Sequence, residues 1–211
     1  MGELQIETMV LGMVGTNCYL AMNQKTKELL IFDPADDGVG IEKKIMALGA
    51  APAAVLLTHG HFDHIGAAEY LRDTYRIPVC AMDAEREVLE DPAKNLTGMS
   101  GKSLSLKADR FFKDGEEIRM AGFSIRIIHT PGHTAGGCCY YFPDEGVLFS
   151  GDTLFAESIG RTDFPTGSMG TLVRSIQEKL FGLPDETKVY PGHGEETQIR
   201  WEKRYNPFCR S

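Results

Sequence analysis

Histidine is scarce in this chain, and half of it lies in one short segment. Three of the six histidines stand in the heptapeptide THGHFDH, over residues 58–64. Neutral imidazole and carboxylate groups are suitable ligands for Zn²⁺ and related divalent ions. The ordered set His59, His61, Asp63 and His64 has a chance occurrence on the order of a few in ten thousand for such a composition. The segment therefore indicates a metal-binding loop.

The spacing inside the heptapeptide divides these groups into two pairs. We expect Gly60 to let the backbone turn tightly, so that His59 and His61 aim at one ion. Asp63 and His64 fall at the start of the next predicted helix and point toward a neighbouring position. The loop alone therefore predicts ligands for two adjacent metal positions.

Further candidate ligands lie in turn-rich segments later in the chain. His133 stands in HTPGHT, Asp152 in SGDT and His193 in PGHG, where a core histidine would seldom be placed. With the heptapeptide they make five histidines and two aspartates, which suffice for two ions. Two residues remain as candidates to orient a ligand. They are His129, for which packing is the alternative, and Asp33, for which capping the next segment is the alternative.

The candidate ligands follow segments that have the pattern of β-strands. LLT precedes His59, IIHT precedes His133, LFS precedes Asp152 and VY precedes His193. Sites made from the ends of several strands commonly bring distant residues together. We therefore expect four strand ends to meet at the metal positions.

The remaining pattern alternates short strands with helices. Helical spacing is predicted over 40–49 and 65–76, and a hairpin is predicted around PDEG at 143–146. Residues 91–107 are small and polar and predict a surface loop that frames a pocket. No linker divides the chain, so we expect a single domain over residues 1–211.

Composition excludes several classes of function. With 42% hydrophobic residues, 25% charged residues and a formal charge of −8, the chain is typical of a globular protein. It has no Lys/Arg cluster for a nucleic acid and no apolar run of the ~18–20 residues that span a membrane. Its N-terminal segment lacks a signal-peptide pattern. Five cysteines without C-x-x-C make a poor disulfide framework, and we expect a reducing cytoplasm.

The motifs THGHFDH, HTPGHT, SGDTLF and PGHG, in this order, resemble those of the metallo-β-lactamase superfamily. The resemblance covers nearly the whole chain. It implies an α/β (α+β) fold, the four-layer αβ/βα sandwich of the metallo-β-lactamase type, with metals at one rim of two packed sheets. The closest likeness is to short, glyoxalase II-like hydroxyacylglutathione hydrolases, which the stretch SIGRTDFPTGS at 158–168 also resembles.

Carried over by motif, the resemblance implies two divalent ions, with zinc favoured and iron or manganese also suited to the ligands. The first ion would be held by His59, His61 and His133, and the second by Asp63, His64 and His193. Asp152 would bridge them. Asp63 is also the best candidate to accept the proton of the attacking water, and is therefore the predicted catalytic residue.

The implied substrate is a small-molecule thioester, with neither a nucleic acid nor a membrane as partner and no oligomeric state indicated. Only eighteen residues follow His193, whereas full-length relatives continue into a helical region that supplies basic residues for glutathione. Four basic residues could in part substitute for them, each with a surface ion pair as the alternative, namely Arg161, Arg200, Lys203 and Arg204. The thiol need not therefore be glutathione.

Other activities of the same fold stay open. A mononuclear iron persulfide dioxygenase would use His59, His133 and Asp152, and a lactonase would use both metal positions. β-Lactamase activity is disfavoured, because those periplasmic enzymes carry export signals and some use Cys or Arg where this chain has Asp152 or His64. A covalent route through the adjacent Cys138 and Cys139 is disfavoured as well, since no cysteine lies within the metal motifs.

Overall fold

Two mixed sheets of six strands each organise the fold. The computed structural model describes residues 3–100 and 103–209. The first sheet runs in chain order through β1 (Leu4–Leu11), β2 (Thr16–Asn23), β3 (Glu28–Phe32), β4 (Ala51–Leu56), β5 (Val79–Met82) and β6 (Arg110–Phe112). From β3 to β6 the strands are parallel, and β1 to β3 are antiparallel.

The second sheet has a less regular order. Its strands are β7 (Glu117–Met120), β8 (Phe123–His129), β9 (Cys138–Phe142), β10 (Val147–Gly151), β13 (Lys188–Pro191) and β14 (Thr197–Gln198), in the spatial order β14-β13-β10-β9-β8-β7. The pair β10–β13 is parallel, and β9 and β10 form the hairpin predicted around residues 143–146. Strands β11 (Leu154–Phe155) and β12 (Ser158–Ile159) form a small separate hairpin.

Helices cover the outer face of each sheet. The helices are α1 (Gly38–Leu48), α2 (Phe62–Ile65), α3 (Ala68–Tyr75), α4 (Arg86–Glu90), α5 (Met169–Ser175), which continues as a π-helical turn over Ile176–Leu180, and α6 (Ile199–Tyr205). Ile41 and Leu71 pack one group of helices on the first sheet, and Leu172 and Ile199 pack the other group on the second. Apart from the short α2, each helix buries its apolar side against a sheet and exposes the opposite side.

An aromatic core lies between the two sheets. Phe32 of β3 stacks on Phe149 of β10 with ring centroids 4.1 Å apart, and Tyr140 and Phe142 pack around them. Such pairs contribute about 0.5–1.5 kcal/mol beyond area burial. With helices outside both sheets, the layers are helix, sheet, sheet, helix. The predicted four-layer αβ/βα sandwich is confirmed.

One predicted helix is divided in the structure. The spacing over 65–76 indicates a single helix, but α2 ends at Ile65 and α3 begins at Ala68. A Cβ on Gly66 would lie 2.1 Å from the carbonyl oxygen of Ala35, so the backbone is pressed against that loop. The amide of Ala67 then donates to Pro34 O rather than to its own helix. Tertiary contact overrides the local spacing here.

The loop predicted over 91–107 is largely confirmed. It holds a 3₁₀ turn at Thr97–Ser100, and its residues 101 and 102 lie outside the described part. The buried Asn95 organises it, because Asn95 Nδ2 donates to Leu89 O and Leu104 O. Asn95 O in turn accepts from the amide of Phe62, at the start of α2. The loop is thereby tied to the heptapeptide over residues 58–64.

The cysteines are all free thiols and all buried. Among the described residues, no helix combines the length and the apolar character that crossing a bilayer requires.

Candidate metal centre

Each predicted ligand segment leaves a strand at the same rim of the sandwich. Strand β4 leads to the heptapeptide, β8 to His133, β10 to Asp152 and β13 to His193. The rim is closed by main-chain contacts between the sheets, among them the bridge between Thr16 and His193. The prediction that four strand ends meet here is confirmed.

Three histidines converge in the first ligand group. His133 Nε2 lies 3.1 Å from His59 Nε2 and 2.8 Å from His61 Nδ1, and all three side chains are buried. A tetrahedral ion with Zn–N distances of about 2.0–2.1 Å separates its ligand nitrogens by about 3.3 Å. The nitrogens therefore already lie close to the separation that a single ion requires.

A second group lies beside the first. His193 Nε2 is 3.3 Å from Asp63 Oδ2, and His64 Nε2 is 3.6 Å from the same oxygen. In each of these groups the candidate ligand atoms lie within 4.8 Å of one another. Two nitrogens and a carboxylate oxygen at these distances form a second potential cation site.

Asp152 lies between the two groups. Its Oδ1 is 3.4 Å from His64 Nε2, while its Oδ2 is 3.5 Å from His133 Nε2 and 3.6 Å from His193 Nε2. The two carboxylate oxygens therefore face nitrogens of both groups. This is the arrangement that a bridging ligand needs.

The cluster contains buried polar atoms that the protein itself leaves without a hydrogen bond. Among the described residues these include His64 Nε2 and Asp152 Oδ1, which face each other. A buried polar atom without a partner costs about 1–3 kcal/mol. A bound cation would satisfy both atoms, so the donor set fits a divalent metal.

Burial keeps the first group in the form that binds metals. Burial, followed by the neighbouring histidines, lowers the pKa of His59 well below its usual value and that of His61 to about 3. Burial also lowers the pKa of His133. These imidazoles are therefore neutral near pH 7, which is the ligand form.

The second group has the opposite electrostatics. Burial lowers the pKa of His64, but the neighbouring carboxylates, with Asp63 first and Asp152 next, raise it well above its usual value. Burial raises the pKa of Asp63, but His64 and His193 bring it below its usual range. The aspartates are therefore ionised, and without a metal they favour a proton on His64. A cation bound between them would take the place of that proton.

Contacts around the cluster set the direction of its rings. Asp33 Oδ2 lies 3.0 Å from His64 Nδ1 and also accepts from the Thr58 hydroxyl. The N-cap of α1 is Asp37, so Asp33 contacts a candidate ligand instead of capping that helix. His133 Nδ1 lies 2.7 Å from Arg161 O. These contacts leave the Nε2 atoms of His64 and His133 turned toward the centre.

With this geometry in place, sequence comparisons identify the family. Residues 11–193 match the family model of the metallo-β-lactamase superfamily. A probable metallo-hydrolase of Bacillus subtilis is 40% identical over 202 residues, covering 95% of this chain and 95% of that protein. The chain belongs to the metallo-β-lactamase superfamily. A protein of Haemophilus influenzae named hydroxyacylglutathione hydrolase GloC is 36% identical over 199 residues, covering 92% of this chain and 93% of that one.

Solved structures of the superfamily share this fold. The structure described as BLEG-1 B3 metallo-β-lactamase is 40% identical, with a TM-score of 0.93, and covers 98% of this chain and 100% of its own. TTHA1623 in a di-iron-bound form is 32% identical, with a TM-score of 0.81 and coverage of 96% and 99%. The metallo-hydrolase assignment and the likeness to hydroxyacylglutathione hydrolases are both borne out by these relatives.

The side chains of two predicted site residues lie outside the group of candidate ligands. His129 Nε2 contacts Ala135 O, and no contact joins its ring to the candidate ligands within the described residues. The exposed guanidinium of Arg161 pairs with Asp163 and lies 3.8 Å over the ring of Phe164. That ring is in turn 5.8 Å from the ring of His61. Arg161 therefore stands at the edge of the cluster, and His129 stands outside it.

Gly60 has a different purpose from the one predicted. It does not adopt a positive φ, so a left-handed turn is not what requires glycine there. A Cβ at Gly60 would lie 3.0–3.1 Å from Leu89 atoms, including its backbone nitrogen. A side chain at this position would require Leu89 to move by a few tenths of an ångström, so glycine is favoured by the close packing of the heptapeptide on α4.

Several residues at the site carry no signal in the sequence. Thr16 Oγ1 donates to Asp63 Oδ2 at 3.0 Å, and Asn17 Nδ2 donates to Pro191 O and Gly194 O around His193. The buried Glu85 contacts both histidine loops. These residues lie far from the motifs along the chain, so only the tertiary structure reveals them.

Proposed function

We propose that this protein is a binuclear metal-dependent hydrolase that cleaves a thioester, with an S-2-hydroxyacylglutathione as the leading candidate. The observation that carries the proposal is the pair of ligand groups joined at Asp152, whose oxygens face His64 on one side and His133 on the other. The similarity to the H. influenzae protein named hydroxyacylglutathione hydrolase supports the choice of substrate.

The geometry supports two ligand sets. His59, His61 and His133 would hold the first ion, and Asp63, His64 and His193 the second, with Asp152 between them. Two divalent ions, for which zinc is the first choice, would supply a water of lowered pKa and polarise the substrate carbonyl. The chain itself supplies the buried, water-poor setting that strengthens these electrostatic effects.

Asp63 has the position of a proton acceptor. Its Oδ2 accepts a hydrogen bond from Thr16 and lies 3.3 Å from His193 Nε2, so the carboxylate has one fixed orientation. The second oxygen, Oδ1, is the one available to take a proton from the attacking water. Its pKa lies below the usual range, which keeps Asp63 ionised before that transfer.

The leaving group explains why the site needs no separate acid. A thiol has a pKa of about 8.5, so a thiolate departs without being protonated first. The cysteines are buried, and burial raises the pKa of Cys139 to about 11, so these thiols are poor nucleophiles. Water is therefore the nucleophile in the proposed reaction.

Arg161 is the proposed contact for the thiol portion of the substrate. Its guanidinium is exposed and lies on Phe164, which borders the first ligand group. A carboxylate on the substrate would compete with Asp163 for this cation.

Metal analysis combined with aerobic and anaerobic assays tests the proposal. We expect two equivalents of divalent metal per chain and thioester hydrolysis that does not depend on oxygen. One equivalent of iron, with oxygen uptake on a persulfide substrate, would contradict the hydrolase. It would indicate instead a mononuclear persulfide dioxygenase that uses His59, His133 and Asp152. Hydrolysis of lactones but not of thioesters would indicate that the protein is a lactonase.

β-Lactam hydrolysis is a second candidate function. It is favoured by one observation, the 40% identity and TM-score of 0.93 to a structure described as a B3 metallo-β-lactamase. Assays of the same preparation with a chromogenic cephalosporin and with thioesters compare the two directly. The thioester proposal requires the larger kcat/KM for the thioester.

Replacement of His193 tests whether the enzyme uses one metal ion or two. The variant His193→Ala removes a nitrogen from the second group only, so we expect loss of the second ion and a fall in kcat of at least a hundredfold. His129→Ala is the matched control, because its ring contacts only a backbone carbonyl outside the cluster. Unchanged turnover in His193→Ala would argue for a mononuclear enzyme.

A further inference from the structure

Glu85 is a buried carboxylate that the proposed reaction does not use. It ends the 3₁₀ turn Asp83–Glu85 that precedes α4, and it is only 1% exposed. No lysine or arginine pairs with it among the described residues. A buried carboxylate without a cation is costly unless it accepts several hydrogen bonds.

The carboxylate joins the two loops that carry the first ligand group. Oε1 accepts from the amide of Gly60 at 2.8 Å, between His59 and His61. Oε2 accepts from the hydroxyl of Thr134 at 2.9 Å and from the amide of Gly136 at 2.7 Å, just after His133. One side chain thus spans two segments that are more than seventy residues apart in the sequence.

Close packing fixes this arrangement on both sides. A Cβ on Gly136 would lie 2.1 Å from the backbone nitrogen of Glu85, so that loop rests directly on the 3₁₀ turn. Gly60 is close to Leu89 of α4, although less tightly, since a Cβ there would lie 3.0 Å from the nearest Leu89 atom. Both loops therefore pack on the segment that carries Glu85, which limits how far they can move if the carboxylate is altered.

The cost of burial shows in the acidity of this group. Burial raises the pKa of Glu85 to about 7, although the hydrogen bonds from Gly60, Thr134 and Gly136 lower it. Glu85 is therefore costly to ionise, and it touches none of the candidate ligand side chains. Its three hydrogen bonds, which hold the two histidine loops together, account for a carboxylate at this buried position.

We propose that Glu85 is a positioning residue that sets the spacing of His59 and His61 relative to His133, and so determines the affinity of the first ion. It acts through the main chain at Gly60 and through the loop that follows His133. This inference rests on the proposed metal centre, but it makes a separate prediction, because the second ligand group has no contact with Glu85.

The variant Glu85→Gln tests the proposal with little change in size. Its amide group must face either Gly60 N–H or Gly136 N–H, so one donor meets another donor. Loss of such an orienting contact typically weakens metal affinity by about tenfold to a hundredfold. We expect this loss for the first ion and less than a threefold change for the second.

The affinities are measured on metal-free protein at pH 8, where Glu85 is ionised, by titration with Co²⁺ and with Zn²⁺ against a chromophoric chelator. The visible spectrum of bound Co²⁺ reports the geometry of the first position. The matched control is Glu202→Gln, since Glu202 is also fully buried and accepts from Thr197, Glu157 and Asn206. It should lose stability in urea without a selective loss of the first ion.

A milder variant covers the case in which Glu85→Gln does not fold. Thr134→Val removes only the hydroxyl bond to Oε2, and we expect a severalfold loss of first-ion affinity. Unchanged affinities in whichever of these variants folds would overturn the role of Glu85. If the unaltered protein itself binds no divalent ion, the proposed metal centre fails first, so the two failures are distinguishable.

Discussion

At the scale of single residues, Asp152 is the group that faces both candidate ligand sets. Its two oxygens face His64 on one side and His133 and His193 on the other. Burial raises the pKa of Asp152, but His64 and the other histidines bring it below its usual value. An ionised carboxylate enclosed in this way cannot move far without losing contact with one of the sets.

Gly192 provides the space that Asp152 occupies. A Cβ at Gly192 would lie 2.2 Å from Asp152 Oδ1 and 2.8 Å from His64 Cε1. In the variant Gly192→Ala the carboxylate must shift, so we expect loss of at least one bound ion and a destabilisation of about 1–3 kcal/mol. Metal content by mass spectrometry and urea unfolding check both expectations.

The control for this substitution is Gly170→Ala in α5. A Cβ there meets nothing within 4 Å, so the only effect is a gain in helix propensity of up to about 1 kcal/mol. Full metal content in Gly192→Ala would contradict the proposed bridging position of Asp152.

At the scale of secondary-structure elements, the start of β2 supports the His193 loop. Asn17 N donates to Gly192 O, Asn17 Nδ2 donates to Pro191 O and Gly194 O, and Tyr19 OH donates to Pro191 O. The first sheet therefore holds a ligand loop that belongs to the second sheet. This explains how a short loop with glycines on both sides presents His193 in one orientation.

Shortening Asn17 should weaken that support. Asn17→Ala removes the side-chain donor to Gly194 O and leaves Tyr19 OH as the side-chain donor to Pro191 O. The lost hydrogen bonds cost about 1–3 kcal/mol, and the His193 loop becomes less restrained. We expect both a lower urea midpoint and a weaker second ion, the latter measured by chelator competition.

Asn23, at the other end of the same strand, provides the comparison. It is also buried and donates to Ala121 O, far from the metal cluster. Asn23→Ala should lose similar stability and keep both ions. Equal metal affinities in the two variants would show that β2 does not position His193.

At the scale of the whole molecule, the candidate metal centre lies where the two sheets meet. The amide of Cys138 donates to Thr58 O across the sheets, and Phe32 stacks on Phe149 beneath them. Ligands from both sheets face one centre, so ions bound there would link the two halves of the sandwich.

Removal of metal should therefore lower global stability. Binding to the native state alone adds about 2.7 kcal/mol for each site at a hundredfold excess of ion over Kd. We expect a chelator to reduce the free energy of unfolding by several kcal/mol and added metal to restore it, measured by urea denaturation. In Asp152→Ala the chelator should have a much smaller effect, and an unchanged midpoint in the unaltered protein would contradict stabilisation by metal.

Much of this architecture could be predicted from local patterns. The apolar runs that end at the motifs became strands β4, β8, β10 and β13. Local patterns do not predict the structure where contacts with residues far along the chain determine the backbone conformation or the choice of residue. The predicted helix over 65–76 is interrupted where Gly66 contacts Ala35, and glycine at position 60 is favoured by close packing on Leu89 rather than by a left-handed turn.

The sequence by itself determined the chemical inventory and its order, because ligand type and close spacing are local properties of a short segment. The spacing within THGHFDH is enough to divide its ligands into two pairs, and the motifs in their order are enough to indicate the superfamily. Only the tertiary structure decided which distant groups support the ligands. Thr16 contacts a candidate ligand directly, while Asn17 and Glu85 hold the loops that carry candidate ligands, and no local spacing encodes these contacts between residues far apart in the chain. The structure also decided between the two roles predicted for Asp33, which contacts His64.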